Sequence, residues 1–323
     1  MATPRAGRPL PDGILRRLRL PVIAAPMLRV SGPDLVIAAC RSGIVGSFPT
    51  ANARTVEELD QWLGRIEASL EGAERAAAPY CPNLIIRQPR LKDDLACLVR
   101  HRVEMVITSV GSPAAAVGPL HDIGAQVFAD IASLRHAEKA IEAGADGLIL
   151  LTAGAGGQTG WANPFAFVRA VRAMFDGPIV LAGGVSDGAS LYAARVLGCD
   201  LAYMGTRFIA TTESLANPRY KDMLVAATLD DVLLTRAFTG LDASMLRPSI
   251  EAAGLDPGKL DEQVSVERAK QQYGGGPGGQ ERPKRWADIW SAGHSVSGVD
   301  SVMEVAALVA RLADEYETAR ARS

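Results

Sequence analysis

Two stretches of the chain end an apolar run in glycine, where backbone N–H groups could hold an anion. "PIVLAGGVSDG" reaches Gly183 and Gly184, and "LAYMGTRF" reaches Gly205 and Thr206. Glycine lets the backbone approach an anion closely, a following helix N-terminus adds partial positive charge, and the threonine can add a hydroxyl. A single glycine turn is usually only a turn. Two such turns at the ends of consecutive strands predict a phosphate site.

Other residues at the ends of apolar runs suit a flat heterocycle. Met27 offers a soft apolar platform, and Asn83 can donate and accept hydrogen bonds. Asp130 ends a further run, and the next one leads into the loop "TAGAGGQTG". Taken singly, these side chains are equally well explained as core, strand-cap and helix-cap residues. Together with the phosphate site, they indicate flavin mononucleotide (FMN) rather than a sugar phosphate.

These residues follow a repeating pattern of strands and helices. The eight β-prone runs are "PVIAAPM", "GIVGSFP", "PYCPNLI", "MVITSVG", "AQVFADI", "GLILLTA", "PIVLAGG" and "LAYMGTR". Segments of helical periodicity such as "TVEELDQWLGRIEASL" separate them, and the runs are apolar on both faces, as expected of a parallel sheet covered by helices.

The predicted fold class is α/β, a (β/α)8 TIM barrel with an added C-terminal substrate-side segment. An open doubly wound sheet would favour a GxGxxG turn after the first strand, and "AAPMLRVSG" lacks it. Barrels commonly bind phosphate after strands seven and eight, where the two glycine turns lie. The glycine turns thus lie where barrels usually bind phosphate, which supports both the predicted fold and the predicted phosphate site.

The regular pattern stops after the eighth unit. We predict that residues 12–229 and 294–323 form the barrel and that residues 230–293 form a smaller substrate-side segment. Five of the six residues 274–279 are glycine, which predicts a mobile loop that gates the site. An amphipathic helix is expected at about 300–320, with its apolar positions at Val302, Val305, Ala306, Val309 and Leu312.

Composition and charge give no indication of nucleic-acid binding, membrane association or metal binding. The 323 residues carry a formal net charge of -2, with 34 basic and 36 acidic residues, so nothing favours nucleic acid or an anionic membrane as a partner. No apolar run approaches the roughly 18–20 residues that span a bilayer. The four cysteines are scattered without a CxxC pair, which predicts buried free thiols, a cytoplasmic protein and no metal site.

The motifs "AAPM", "NLI", "GADGLIL", "GAGGQTG", "LAGGVSDG", "YMGTRF" and "DIWSAGHSVSGV" together resemble the nitronate monooxygenase family. That family also includes flavin-dependent NADH:quinone reductases and enoyl reductases. The resemblance implies non-covalent FMN on a barrel and oxidation of alkyl nitronates with O2. The cofactor contacts that it implies are Ala25, Met27, Asn83, Gly156, Gly157, Gly183, Gly184, Gly205 and Thr206, and the strand-end Asp130 joins this set.

The chain departs from the family pattern at two places. Many members have histidine after the double glycine of strand six, in the role of a base or a hydrogen-bond partner of the nitro group, whereas this chain has Gln158. The late loop commonly reads SAGQG and here reads "SAGHS", with His294. We predict that His294 supplies the catalytic imidazole and that Gln158 orients the substrate, because a neutral amide forms hydrogen bonds but takes no proton. An ordinary polar loop residue is the alternative for His294.

Two other functions stay open. An NAD(P)H-dependent flavin reductase of quinones or enoyl thioesters is the first, with Arg282, Lys284 and Arg285 available to a phosphate of NADPH or coenzyme A. A non-redox sugar-phosphate barrel is the second, but no strand ends in lysine and Asp130 is the strongest carboxylate at a strand end. The expected partners are a small-molecule substrate with O2 or NAD(P)H, and a homo-oligomer is compatible with the sequence.

Overall fold

The computed structural model describes residues 7–72, 76–274 and 283–323. Its β-strands, numbered along the chain, are β1 (Val22–Ala24), β2 (Val45–Pro49), β3 (Tyr80–Ile85), β4 (Met105–Ser109), β5 (Gln126–Ile131), β6 (Gly147–Leu151), β7 (Gly157–Gln158), β8 (Ile179–Ala182), β9 (Leu201–Met204), β10 (Val232–Thr235) and β11 (Ala243–Leu246).

The α-helices are α1 (Asp12–Leu15), α2 (Pro33–Arg41), α3 (Val56–Leu70), α4 (Leu91–Arg100), α5 (Ala114–Asp122), α6 (Leu134–Glu142), α7 (Pro164–Arg172), α8 (Gly188–Leu197), α9 (Thr206–Ile209), α10 (Pro218–Ala226), α11 (Arg247–Ala252), α12 (Val266–Tyr273) and α13 (Val305–Ala321). None of the described helices is long and apolar enough to cross a membrane.

The predicted TIM barrel is confirmed. Eight parallel strands close in the order β1-β2-β3-β4-β5-β6-β8-β9, and β9 pairs with β1 through Ile23 and Tyr203. The eight runs predicted from the sequence are these eight strands. The two glycine turns therefore follow β8 and β9, the seventh and eighth strands of the barrel.

One apolar cluster fills the barrel interior, because every barrel strand contributes to it. Its members include Ile23, Val45, Cys81, Ile107, Phe128, Ile149, Val180 and Leu201. Phe128 explains why β6 begins with glycine, since a Cβ on Gly147 would lie 2.3 Å from the phenyl ring. Two further clusters lie between the strands and the surrounding helices.

The final helix begins later than the sequence indicated. It spans Val305–Ala321 and buries Val305, Leu308, Val309, Leu312 and Ala313, whereas Val302 precedes it and is 40% exposed. The helix packs so closely on α8 that a Cβ on Gly188 would lie 2.2 Å from the backbone nitrogen of Tyr316. Ala306 faces solvent, so the predicted apolar face was displaced around the helix.

The chain beyond β9 builds a small three-stranded sheet beside the barrel mouth. β10 pairs with β11, and β11 pairs with β7 through Ser244 and Gly157 and through Ala243 and Gln158. The loop after β6 is thereby attached to the 230–293 segment. Of the predicted gating loop 274–279, residues 275–279 lie outside the described residues.

All four cysteines are free and buried, as the sequence predicted. Burial raises the pKa of the Cys40 thiol to about 12 and that of Cys97 to about 11. Cys97 lies near Asp60 and His101, with ligand atoms within 4.8 Å of one another. Both ring nitrogens of His101 already contact carboxylates, and Arg100 donates to Asp60 at 2.7 Å. The cluster is therefore an ion-pair network that joins α3 to α4.

Candidate active site

The floor of the candidate site follows from the two-residue repeat of the strands. Side chains alternate between the two faces of a strand, so the residue two positions after an interior residue also points inward, nearer the C-terminal end. Phe128 is interior, and Asp130 lies one layer above it on β5. Two residues beyond an interior residue, six other strands place a side chain in the same layer: Ala25, Asn83, Ser109, Leu151, Ala182 and Tyr203. Together with Asp130, these residues line one cavity of about 830 Å³. The cavity opens at the barrel end where active sites of this fold lie.

All of the predicted site residues except His294 line this cavity. The structure thus brings together the ends of β1, β3, β5, β8 and β9 with the loop after β6. Sequence reasoning did not identify Ser109 or Tyr203 as cavity residues. The inward alternation along β4 and β9 would have found both.

Asn83 is 5% exposed and faces Ser109 across β3 and β4, with the amide nitrogen 3.1 Å from the serine Oγ. The Oγ also lies 3.2 Å from the Asn83 amide oxygen. This pair holds the amide in one orientation at the cavity floor, so its remaining hydrogen-bonding capacity is directed at whatever the cavity binds.

Asp130 is a carboxylic acid without a hydrogen-bond partner in the described part of the chain. Its Oδ1 is buried, and burial raises the pKa of Asp130 to about 7. Among the described residues, no backbone N–H donates to the carboxyl, as a helix cap would require. Buried polar groups are nearly always hydrogen-bonded, so an unpartnered oxygen in a cavity wall marks a place for a ligand.

The glycine turns after β8 and β9 direct free backbone donors into the cavity. Within the described ranges, the N–H groups of Gly184, Val185, Gly205 and Thr206 have no hydrogen-bond acceptor. Gly183 and Gly184 adopt φ values of 123° and 75°, which favour glycine. A Cβ on Gly183 would also lie 2.5 Å from the Oγ1 of Thr152. Unpaired backbone N–H groups on a cavity wall are suited to an anion.

Thr206 adds a hydroxyl to these donors. Its Oγ1 accepts a hydrogen bond of 2.9 Å from the N–H of Gly293. Because that bond uses the oxygen as acceptor, the hydroxyl hydrogen stays available to an anion. The late loop therefore positions the Thr206 hydroxyl through its backbone.

The helices that follow the turns contribute less than the sequence suggested. Asp187 caps α8 by accepting from the N–H of Ser190 at 2.7 Å, so a carboxylate already occupies that N-terminus. The helix after β9, α9, has only four residues. The turn amides and the Thr206 hydroxyl are thus the donors left free at this part of the cavity wall.

Gln158 is exposed and lines the cavity. It belongs to β7, whose pairing with Ala243 of β11 fixes its backbone. Its neighbour Gly157 has a φ of 69°, in the left-handed region that favours glycine. The amide can therefore contact a substrate from the side of the cavity opposite the barrel floor.

His294 is not among the residues that line the cavity, and its exchange of roles with Gln158 stays a prediction. Its N–H donates to the carbonyl of Gly154 at 2.9 Å, and its ring lies over that glycine, where a Cβ would be 2.6 Å from Nδ1. The side chain is exposed. The 3-10 turn that begins at His294 directs Ser295 into the cavity wall instead.

Aromatic residues close one wall of the cavity. The rings of Tyr220 and Trp290 stack at 4.9 Å with an interplanar angle of 9°, and the Tyr220 hydroxyl donates to the carbonyl of Ser291. Trp286 and Arg285 also line the cavity, and Arg285 donates to the carbonyl of Phe238 at 2.9 Å. Burial lowers the pKa of Arg285.

The rim carries cationic side chains that the sequence did not point to. Arg87 follows β3, and Lys139 lies on α6 one turn after His136. His136 is exposed and lines the cavity. Of the predicted basic trio, Arg285 lines the cavity, Lys284 is exposed and Arg282 lies outside the described residues.

These features fit FMN. The cavity volume lies within the range of small-molecule and cofactor sites, about 300–1,000 Å³. Unpaired amides and a hydroxyl can receive the phosphate, and the polar floor of Asn83 and Asp130 can meet the mixed donor and acceptor edge of the ring. Met27 lies beside the phosphate turn, with its Sδ 3.5 Å from the position of a Cβ on Gly205.

Comparison with known proteins gives a family match over nearly the whole chain. The family model described as nitronate monooxygenase matches residues 14–315. A nitronate monooxygenase of Paraburkholderia phytofirmans is 27% identical over 282 residues, which cover 73% of this chain and 76% of that protein.

Solved structures share the architecture. The structure of FabK from Thermotoga maritima has a TM-score of 0.76 and 25% identity, covering 94% of this chain and 95% of its own. A nitroalkane oxidase from Streptomyces ansochromogenes also has a TM-score of 0.76, with 24% identity over 96% of this chain and 99% of its own. The second likeness is evidence of the fold alone.

Proposed function

Because the chain belongs to the nitronate monooxygenase family, we propose that it is an FMN-dependent oxidoreductase that oxidises alkyl nitronates with molecular oxygen. The observation that carries the cofactor assignment is the set of four unpaired N–H groups at the ends of β8 and β9. These donors lie on the same cavity as the unpartnered Asp130. The nitronate class of substrate is supported by the relative from Paraburkholderia phytofirmans.

We propose the following division of the cofactor site. Gly183, Gly184, Gly205 and Thr206 hold the phosphate, Ala25 and Met27 contact the ring, and Asn83 and Asp130 meet its polar edge. Gly156 and Gly157 complete the wall after β6. When bound, FMN supplies the redox chemistry of the site. The chain supplies the orientation of cofactor and substrate.

Gln158 is the residue that we propose for the substrate. Its amide can donate to a nitronate oxygen, but a neutral amide takes no proton near neutral pH. A nitronate is already deprotonated at carbon, so its oxidation needs no base at this position. Gln158 therefore suits a substrate that arrives as the anion.

Residues 230–293 are proposed to form the substrate side of the site, with residues 12–229 and 294–323 as the barrel. Support comes from the pairing of β11 with β7, which carries Gln158, and from Trp286 and Trp290 in the cavity wall.

The proposed partners are a small-molecule substrate and O2. A reducing compartment, the cytoplasm, is supported by the four free and buried thiols. A homo-oligomer remains compatible with the fold.

The proposal is tested on the purified protein. We expect a yellow protein whose chromophore is released on denaturation and co-migrates with FMN. Under anaerobic conditions an alkyl nitronate should bleach the visible band, and O2 should restore it with consumption of nitronate. A protein bleached by NADH or NADPH but not by nitronate would be a reductase instead. A colourless protein that takes up no added FMN would refute the cofactor assignment.

A further inference from the structure

Asp130 is the only carboxylate among the described residues that line the cavity. The other ionisable side chains there are Arg87, His136, Lys139, Arg285, Tyr203 and Tyr220. Asp130 lies in the inner layer of the barrel mouth, one layer above Phe128, and its Oδ1 is buried without a partner. An ionisable group so placed can exchange a proton with whatever covers the floor.

The groups that face Asp130 leave its charge uncompensated. Tyr203 on β9 and Cys81 on β3 are the titratable neighbours, and the pKa of each is raised, chiefly by burial, so both are neutral. Burial alone raises the pKa of Asp130 to about 7. The cations of the rim therefore do not hold it ionised, as they would in an ion pair.

A flat ring over the floor would deepen the burial of this carboxyl. Removing the remaining water penalises the ionised form further, whereas the protonated form has an O–H to donate. The polar edge of an oxidised flavin carries two carbonyl and two ring-nitrogen acceptors beside a single N–H donor, so acceptors predominate there. These lone pairs attract an O–H and repel a carboxylate.

We propose that Asp130 binds FMN in its protonated form and donates its O–H to an acceptor of the isoalloxazine ring, so that release of this proton opposes cofactor binding. The inference rests on the proposed FMN site and names the residue that makes its affinity depend on pH. Protonation of Asp130 and binding of FMN are then coupled, so that each favours the other.

The test is the affinity of the cofactor-free protein for FMN, measured by flavin fluorescence between pH 6 and 8.5. Asp130→Asn keeps an N–H donor of similar size but has no proton to lose. The FMN phosphate titrates equally in both proteins, so the ratio of wild-type to variant affinity isolates Asp130. For a carboxyl that titrates near pH 7, the ratio should fall about thirtyfold across this range. Asp222→Asn, an exposed aspartate on α10, is the matched control and should follow the wild type.

Infrared difference spectroscopy of the FMN-loaded wild type gives a readout that needs no variant. A protonated carboxyl band should be present at pH 7 and should persist to a higher pH than in the cofactor-free protein. Wild type and Asp130→Asn with parallel pH profiles, or a loaded protein without this band, would overturn the inference while leaving the FMN site intact. A wild type that binds no FMN at any pH would overturn both.

Discussion

Replacing Asp130 with asparagine should stabilise the cofactor-free protein, and by more as the pH rises. The substitution keeps the shape of the side chain and removes the charge that burial disfavours. The folded protein holds the Asp130 proton to about pH 7, whereas the unfolded chain releases it near 3.8. Between these values the folded state binds more protons than the unfolded state, so the wild-type free energy of unfolding falls as the pH rises.

The magnitude follows from the shift. A pKa raised from 3.8 to about 7 corresponds to a penalty of about 4 kcal/mol at 1.36 kcal/mol per pKa unit. This value is a ceiling, because the cavity gives the half-buried residue some access to water. At pH 5 the penalty is about 1.6 kcal/mol, so the advantage of Asp130→Asn should grow by up to about 2.7 kcal/mol between pH 5 and 8.5.

Urea unfolding of wild type, Asp130→Asn and Asp222→Asn at pH 5, 6, 7 and 8.5 measures this difference. FMN must be removed first, because a ligand that binds only the folded state adds its own stabilisation. The exposed Asp222 on α10 should show no pH-dependent advantage. A constant difference between Asp130→Asn and wild type across the range would refute the reasoning, since it would mean that Asp130 ionises alike in both states.

Three further substitutions test the site. Gly205→Glu should weaken FMN binding at least a hundredfold relative to Gly205→Gln, as equilibrium dialysis of both variants would measure. The reason is that a carboxylate about 4 Å from the phosphate costs about 4 kcal/mol at a protein surface. Gln158→Ala should raise the KM for a nitronate by roughly three- to tenfold with FMN still bound, as the loss of one neutral hydrogen bond predicts, and an unchanged KM would remove Gln158 from the substrate site. His294→Ala should keep the turnover rate within about twofold from pH 6 to 8, since its ring lies outside the cavity lining; a tenfold loss in steady-state rate would return His294 to catalysis.

The sequence alone was sufficient for the barrel and for part of the cavity lining. Apolar runs separated by helical segments determine a parallel sheet covered by helices, and in a barrel the C-terminal ends of all strands meet at one mouth. The glycine turns after β8 and β9 could therefore be placed at one mouth of the barrel from spacing alone. The same logic, applied to the two-residue alternation along each strand, would also have identified Ser109 and Tyr203.

Only the tertiary structure decided what each loop residue faces. His294 follows Gly293 by one position, yet the 3-10 turn sends the histidine outward over Gly154 and places Gly293 against Thr206. A loop has no repeat that relates neighbouring side chains to a face, so its orientation follows from packing. The raised pKa of Asp130 was likewise invisible in the sequence, because it depends on burial at the barrel mouth by residues distant along the chain.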